Sequence, residues 1–128
     1  MEKEQINLEF SFKSSPKILY NRLSSPSGLA EWFADDVNFE NQYKTYIFIW
    51  DGYETRAEVL GKKEFSYIRF RWEEDEGEDY YFEFRINIDD LTGDVALVVT
   101  DFAEPDEKED AIQLWETQIE QLKLVLGS

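Results

Sequence analysis

The sequence predicts an α+β fold in which an antiparallel sheet of consecutive strands precedes one long helix. Apolar and polar residues alternate with a period of two in several segments, which are separated by turn-forming residues. Two Ser-Pro pairs after the first segment indicate short helices. The last segment changes to spacings of three and four, which are typical of an amphipathic helix. Because no linker or repeat interrupts this order, we expect a single domain over residues 1–128.

The N-terminal part of the chain predicts a strand and two short helices. Apolar side chains alternate with polar ones over residues 6–12, as in a half-buried strand. Ser15-Pro16 and Ser25-Pro26 each provide an N-cap followed by proline at the first helical position. The second helix is expected to run through residues 29–33. The apolar side of the first helix is expected to consist of Ile18, Leu19 and Leu23.

The rest of the chain predicts an antiparallel meander and a closing helix. Asp35, Asp36 and Asn38 indicate a loop. Turns such as Asp51-Gly52 then separate strands that are expected at residues 46–50, 55–60, 67–72, 80–88 and 95–102. A helix over residues 106–126, ended by Gly127, is expected to present an apolar face formed by Ile112, Trp115, Ile119, Leu122 and Leu126.

The absence of cysteine and histidine removes several kinds of chemistry. Disulfides, thiolate nucleophiles, cysteine-based zinc sites, haem attachment and imidazole-dependent triads need residues that this chain lacks. Catalysis would depend on carboxylates, Tyr, Lys, Arg or hydroxyl groups, and a metal would have to be a hard cation with oxygen ligands. We predict no catalytic residue, no metal and no cofactor.

The strong negative charge bears on partners and location. A formal net charge of -16, from 29 acidic and 13 basic residues, opposes binding to nucleic acid and to anionic membranes. The first residues lack the apolar segment of a secretory signal, and no segment approaches the ~20 apolar residues that span a bilayer. We expect a cytoplasmic protein that neither binds nucleic acid nor inserts into a membrane.

Several passages, taken in order, resemble one known family. The opening LEFSFKSSPKILYNRLSSPSGLAEWF, the segments YIFIW, YIRFRW and LVVTDF, and the closing LWETQIEQLKLVLG are similar to the activator-of-Hsp90-ATPase homologue family. That family belongs to the START-like or Bet v 1-like (SRPBCC) superfamily. The resemblance covers nearly the whole chain, but Asn41-Gln42-Tyr43 stands where many relatives have a glycine-rich stretch.

The resemblance implies a helix-grip fold, in which a curved antiparallel sheet wraps the long C-terminal helix. It also implies a cavity between sheet and helix, which in many relatives holds a lipid or another apolar molecule. The loops at residues 32–36 and 51–53 are candidates for controlling access. An apolar pocket and a solid core filled by the same rings both remain open. The candidate cavity-lining residues are Trp32, Phe33, Phe48, Trp50, Phe70, Trp72, Phe82, Phe84, Ile112, Trp115 and Ile119.

Charged clusters mostly have structural interpretations. Alternation turns Tyr67, Arg69 and Arg71 away from the apolar face of their strand. We therefore expect them to form cross-strand pairs with Glu83 and Arg85 on a solvated surface, and an anion site for a ligand headgroup is the alternative. The acidic residues 73–79 do not match the spacing of a calcium loop and are expected to form a solvated hairpin tip. Those from 101 to 110 suit the start of a helix.

Paired carboxylates and tyrosines carry little functional signal. Pairs such as Asp35 with Asp36, or Glu54 with Glu58, are common in a chain with 29 acidic residues. Tyr46 or Tyr80 would place a hydroxyl in the cavity, where it serves either a ligand or a structural hydrogen bond.

The sequence as a whole predicts a non-enzymatic module that binds a small apolar or amphipathic molecule by burying its surface. The alternative is a protein-interaction module, associated with a chaperone as the family name implies, whose acidic surface attracts a basic partner. A cyclase- or hydrolase-like enzyme is a third possibility, and it requires a polar group with a shifted pKa inside the pocket.

Overall fold

A computed structural model describes residues 2–127 of the chain. It contains seven strands, two short helices after the first strand and one long helix at the C-terminal end of the described range. Two 3-10 turns, Glu73–Asp75 and Pro105–Glu107, follow β5 and β7. The elements are β1 (Glu4–Phe12), α1 (Pro16–Ser24), α2 (Pro26–Leu29), β2 (Asp36–Glu40), β3 (Thr45–Trp50), β4 (Tyr53–Lys63), β5 (Tyr67–Trp72), β6 (Phe82–Ile88), β7 (Val95–Ala103) and α3 (Lys108–Leu126).

The strands form one antiparallel sheet in the order β1-β7-β6-β5-β4-β3-β2. From β2 to β7 each strand pairs with its neighbour in sequence, which confirms the predicted meander, and β1 closes the far edge by pairing with β7. The expected α+β class and helix-grip architecture are confirmed: the curved sheet carries two short helices and the long helix α3.

A bulge contributes to the curvature of the sheet. The β4–β5 register shifts between Val59 and Gly61, and such a shift bends a strand and increases its twist. A Cβ atom at Gly61 would lie 3.3 Å from the Tyr67 hydroxyl oxygen, so the bulge is packed closely.

Both predicted helix starts are confirmed. The Ser15 hydroxyl accepts a hydrogen bond from Ile18 N at 3.3 Å, and the Ser25 hydroxyl accepts one from Gly28 N at 2.9 Å. A side chain at Gly28 would collide with the backbone of Asn21 in α1, so the two helices touch closely. The prediction that Ile18 lies on the apolar side is wrong, since it is 52% exposed.

Other boundaries differ from expectation. Helix α2 ends at Leu29, and turns replace the rest of the predicted helix up to residue 33. The predicted loop at residues 35–38 is wrong over most of its length, because β2 begins at Asp36 and pairs with β3. In β2 only Val37 is buried and the other four residues are exposed, which explains why the sequence of this segment indicated a loop.

The β2–β3 hairpin has an unusual backbone. Asn41, Gln42 and Tyr43 all have positive φ angles, at 54°, 56° and 66°. This left-handed region favours glycine. The glycine-rich stretch of many relatives at this point would meet the same requirement.

Helix α3 buries Trp115, Ile119 and Leu122 against the inner face of the sheet and ends at Gly127, whose φ is 72°. It starts two residues later than predicted, after the 3-10 turn that begins with Pro105. Within residues 2–127, no helix is long and apolar enough to cross a membrane.

Candidate functional site

The predicted cavity-lining residues mostly meet in one cluster between the sheet and α3. Eight of them are buried in it, and Trp50 and Trp72 pack against it while partly exposed. Ile112 lies outside this cluster and is half-buried. That these side chains line a ligand cavity stays a prediction. The eight buried residues are Trp32, Phe33, Phe48, Phe70, Phe82, Phe84, Trp115 and Ile119.

The aromatic rings of the cluster pack directly against one another. Phe82 stacks on Phe70 with centroids 5.0 Å apart and on Trp72 at 4.6 Å. Phe48 meets Phe70 edge-on at 5.7 Å. These are favourable distances for aromatic pairs. The inner face of the sheet is therefore covered by rings in mutual contact.

Phe33 occupies the centre of this cluster, although it belongs to the segment between α2 and β2. Its ring stacks on Trp115 of α3 at 5.7 Å and on Phe82 of β6 at 5.8 Å. It also meets Phe48 edge-on at 5.1 Å. One side chain from a connecting segment thus joins the sheet to the helix, and we call it the Phe33 plug.

The side chains of Trp50 and Gln118 hold the backbone at Phe33, from which the plug extends. The Phe33 carbonyl oxygen accepts a hydrogen bond from Trp50 Nε1 at 2.9 Å and another from Gln118 Nε2 at 3.2 Å. A surface groove of about 490 Å³ lies beside it, between the α2–β2 segment and α3. Residues 30–35, Trp50, Gln118 and Gln121 line this groove.

The two loops that were candidates for controlling access are joined to each other. Asp51 N, in the β3–β4 turn, donates a hydrogen bond to Asp35 Oδ2 at 2.8 Å. Asp35 N in turn donates to Ile49 O of β3 at 2.9 Å. Residues 32–36 and 51–53 therefore lie at the same end of β3, next to the groove.

An ionisable residue that the sequence prediction missed lies at another edge of the ring cluster. Asp101 Oδ2 accepts a hydrogen bond from Trp115 Nε1 at 2.9 Å, and Oδ1 accepts one from Phe102 N at 2.8 Å. Burial raises the pKa of Asp101, against the opposing effect of these hydrogen bonds. The expectation that this acid only suits the start of the helix is wrong.

Comparisons with known proteins identify the family. The model of the START-like superfamily domain matches residues 1–128. The chain belongs to the START-like superfamily. START-like domains commonly bind ligands in a cavity. The sequence matches none of the curated proteins with which it was compared.

Solved structures of other proteins are similar to this chain. A Bacteroides fragilis protein, solved by solution NMR, is 39% identical, with 98% of this chain and 93% of that chain covered and a TM-score of 0.69. The Aha1 dimer from Colwellia psychrerythraea is 17% identical, with 94% and 93% covered and a TM-score of 0.76. DynU16, a protein in the dynemicin biosynthetic locus, is 15% identical, with 97% and 47% covered and a TM-score of 0.75. The last two show the fold alone.

The outer face of the START-like sheet carries one of the predicted cross-strand ion pairs, between Arg69 of β5 and Glu83 of β6, and a second ion pair within β6. Glu83 is paired with Arg69 on β5, whose Nη2 lies 2.6 Å from Oε2, and with Arg85, whose Nε lies 2.9 Å from Oε1. Burial alone would raise the pKa of Glu83, but hydrogen bonds from Arg85 and Arg69 lower it below its usual value. Arg69 covers the Tyr81 ring at 4.2 Å and Arg85 covers the Tyr67 ring at 4.4 Å.

The acidic tip between β5 and β6 is not uniformly solvated as predicted. Asp75 is only 7% exposed, and its Oδ1 lies 3.1 Å from Lys3 Nζ. Lys3 N also donates to the Tyr80 hydroxyl at 3.1 Å. Lys3, directly before β1, therefore anchors this loop, which explains why one acid of the run is buried.

The remaining candidates have structural roles or lie at the surface. The Tyr46 hydroxyl donates to Ser24 O at 2.5 Å, and burial raises its pKa to about 12. The carboxylate pairs Asp35 with Asp36 and Glu54 with Glu58 are exposed. Within the described part of the chain, no group of three or more acidic side chains is arranged to hold a metal ion.

Proposed function

We propose that this START-like domain, taken as the single unit of residues 1–128, is a non-enzymatic binding module for a small apolar or amphipathic molecule. The ligand lies between the ring-covered inner face of the sheet and helix α3. Family membership supports ligand binding in this place. The position of the Phe33 plug is the observation that carries the proposal.

The Phe33 plug is suited to moving aside. It is attached to a connecting segment, whereas all the rings it contacts except Trp32 are on the sheet and on α3. Its backbone carbonyl is held by the side chains of Trp50 and Gln118, and the surface groove adjoins it. Displacing the Phe33 carbonyl breaks these two hydrogen bonds, at about 1–3 kcal/mol in all. A displacement confined to Phe33 leaves the hydrogen bond from Asp35 N to Ile49 O of β3 in place.

The energetics set a minimum ligand size. Exposing the Phe33 ring costs about 1.5–3 kcal/mol, and burying apolar ligand surface returns ~25 cal/mol per Å². A ligand must therefore bury more than roughly 120 Å² of apolar surface to offset that exposure alone. A phenyl ring already meets this condition, since a buried Phe side chain removes about 150–250 Å² of surface from water.

The test is titration with the neutral apolar dye N-phenyl-1-naphthylamine, read by dye and tryptophan fluorescence. We expect saturable one-to-one binding. Phe33→Leu should tighten it about tenfold, because it loses the ring stacking on Trp115 and Phe82, about 0.5–1.5 kcal/mol for each pair, and so lowers the cost of opening. The matched control is Phe65→Leu, which alters a 42% exposed ring that contacts Tyr20 and is not in contact with Phe33.

The proposal is contradicted if neither the unmodified protein nor the folded Phe33→Leu variant binds the dye saturably. Gln118→Ala should also tighten dye binding. It removes one hydrogen bond to the Phe33 carbonyl without removing core volume. An equal change in dye affinity for Phe65→Leu would show that the effect is not local to the plug.

A protein-interaction role is a second candidate, and exposed aromatic surface favours it. Phe39 on the edge strand β2 stacks on Tyr43 at 3.9 Å, and the two are 46% and 47% exposed. The net charge of -16 favours a basic partner. Native mass spectrometry of the purified protein separates the two candidate functions. A retained mass of a few hundred daltons supports the ligand-binding role. A salt-sensitive protein partner that is lost in Tyr43→Ala supports the protein-interaction role.

The predicted cytoplasmic location stays a prediction.

A further inference from the structure

A carboxylate interrupts the apolar inner face of the sheet. On β7, Leu97 and Val99 are fully buried on that face, and alternation puts Asp101 on the same side. Its direct partner across the β1–β7 ladder is Ile6, which is 2% exposed. The hydrogen bond from Trp115 of α3 agrees with this orientation. Asp101 thus stands where the pattern of the two strands calls for an apolar residue.

Among the described residues 2–127, the donors in direct contact with the Asp101 carboxylate are neutral. The indole of Trp115 and the backbone N–H of Phe102 each donate to one carboxylate oxygen, and each oxygen can accept a further hydrogen bond. Within residues 2–127 no lysine or arginine forms a salt bridge with Asp101. The nearby ammonium of Lys3 is paired with Asp75, so its positive charge acts on the carboxylates of both Asp75 and Asp101.

Trp115 connects this carboxylate to the Phe33 plug. One face of the indole stacks on the Phe33 ring at 5.7 Å and 16°, and its Nε1 edge donates to Asp101. A molecule that takes the place of the Phe33 ring therefore lies against Trp115, with Asp101 at the edge of the same indole. A burial-raised pKa at Asp101 is consistent with a carboxylate that lacks a cationic partner.

We propose that the ligand is an amphipathic amine, whose apolar part replaces the Phe33 ring and whose ammonium group binds the carboxylate of Asp101. This inference rests on the proposed function and specifies its ligand class. An ammonium–carboxylate hydrogen bond is among the stronger polar contacts in proteins. The same carboxylate and the net charge of -16 disfavour fatty acids and other anions.

The experiment compares three probes with the same chain, decylamine, decanol and decanoate, by calorimetry at pH 7 below their aggregation concentrations. A charge-assisted hydrogen bond is roughly twice as strong as one between neutral groups. We therefore expect decylamine to bind about 10- to 100-fold more tightly than decanol, and decanoate to bind most weakly. Asp101→Asn should abolish the preference for the amine and leave decanol binding unchanged.

The matched control is Asp110→Asn, which makes the same change in net charge at an exposed position of α3. Equal loss of amine affinity in both variants would overturn the proposal in favour of a general electrostatic effect. Equal binding of decylamine and decanol by the unmodified protein would overturn it without reference to any variant, and would leave the proposed function intact. Binding of none of the probes would overturn both.

Discussion

Two carboxylates on opposite faces of the same sheet differ in how their charge is balanced. On the outer face, Glu83 is 4% exposed and is paired with the guanidinium groups of Arg69 and Arg85. On the inner face, Asp101 has an indole and a backbone N–H as its donors. The pKa of Glu83 is lowered and that of Asp101 is raised. Cations of the chain therefore pair directly with the outer carboxylate, whereas the direct hydrogen-bond donors of the inner one within residues 2–127 are neutral.

The two faces also differ in what stabilises them. Phe82 is fully buried between Phe70 and Trp72, so its contribution comes from surface removed from water. Tyr81, the preceding residue, is partly exposed and is covered by Arg69. Such a contact is worth less, because water competes for both partners.

Truncation of an inner ring gives the largest expected effect. Phe82→Ala should lower the free energy of unfolding by about 3–5 kcal/mol, through lost burial and the cavity left behind. Tyr81→Ala, on the opposite face, should cost only about 1 kcal/mol. Urea unfolding followed by tryptophan fluorescence measures both. Equal losses would show that the outer layer is packed as tightly as the core.

The two carboxylates should respond to pH with opposite signs. Glu83→Gln should destabilise the protein at pH 7 by about 1–3 kcal/mol, because it leaves two guanidinium groups without their shared carboxylate. The lowered pKa of Glu83 means that its contribution is present above the ordinary glutamate pKa of about 4.3 and is lost as the pH falls through the lower folded value. The deficit of Glu83→Gln should therefore be smaller at pH 3 than at pH 7.

Asp101→Asn should show the reverse trend. Because the pKa of Asp101 is raised on folding, the ionised group opposes folding, and the cost grows as the pH rises from the ordinary aspartate pKa of about 3.9 through the folded value. The stability of Asp101→Asn relative to the unmodified protein should be higher at pH 7 than at pH 3. These two values avoid the sequence pI of about 4.2, where solubility is lowest. Parallel trends in the two variants would contradict the difference between the faces.

Periodicity predicts which side chains lie on each face of the sheet, because alternation depends only on the order of residues along one strand. Phe82 and Glu83 were assigned to opposite sides from alternation, and the structure confirms this. The same rule assigns Asp101 to the inner face. The surrounding acids concealed this, because a run of charges before a helix has a sufficient explanation in the helix dipole.

Features that depend on chain connections were not predictable in the same way. The position of Phe33 depends on where α2 ends and how the following turns direct one ring, and no sequence period describes such a segment. Strand β2 was missed because its pairing with β3 is the main contact that orders it, and one buried residue, Val37, gives too weak a pattern. Whether the rings leave open space depends on packing, which residue types alone do not determine.

The smallest expected effect concerns the layer of guanidinium groups on the outer face. Arg69→Lys keeps the charge near Glu83 but loses the planar group that lies 4.2 Å from the Tyr81 ring centre, so we expect a loss of about 0.5–1 kcal/mol. Arg56→Lys is the matched control, since Arg56 forms an exposed pair with Glu40, and it should change stability by less than about 0.5 kcal/mol. Repeating Arg69→Lys in a Tyr81→Ala background isolates the stacking contribution. If the loss is the same in both backgrounds, the ring adds nothing, and the stability of the outer face comes from the pairing of Glu83 alone.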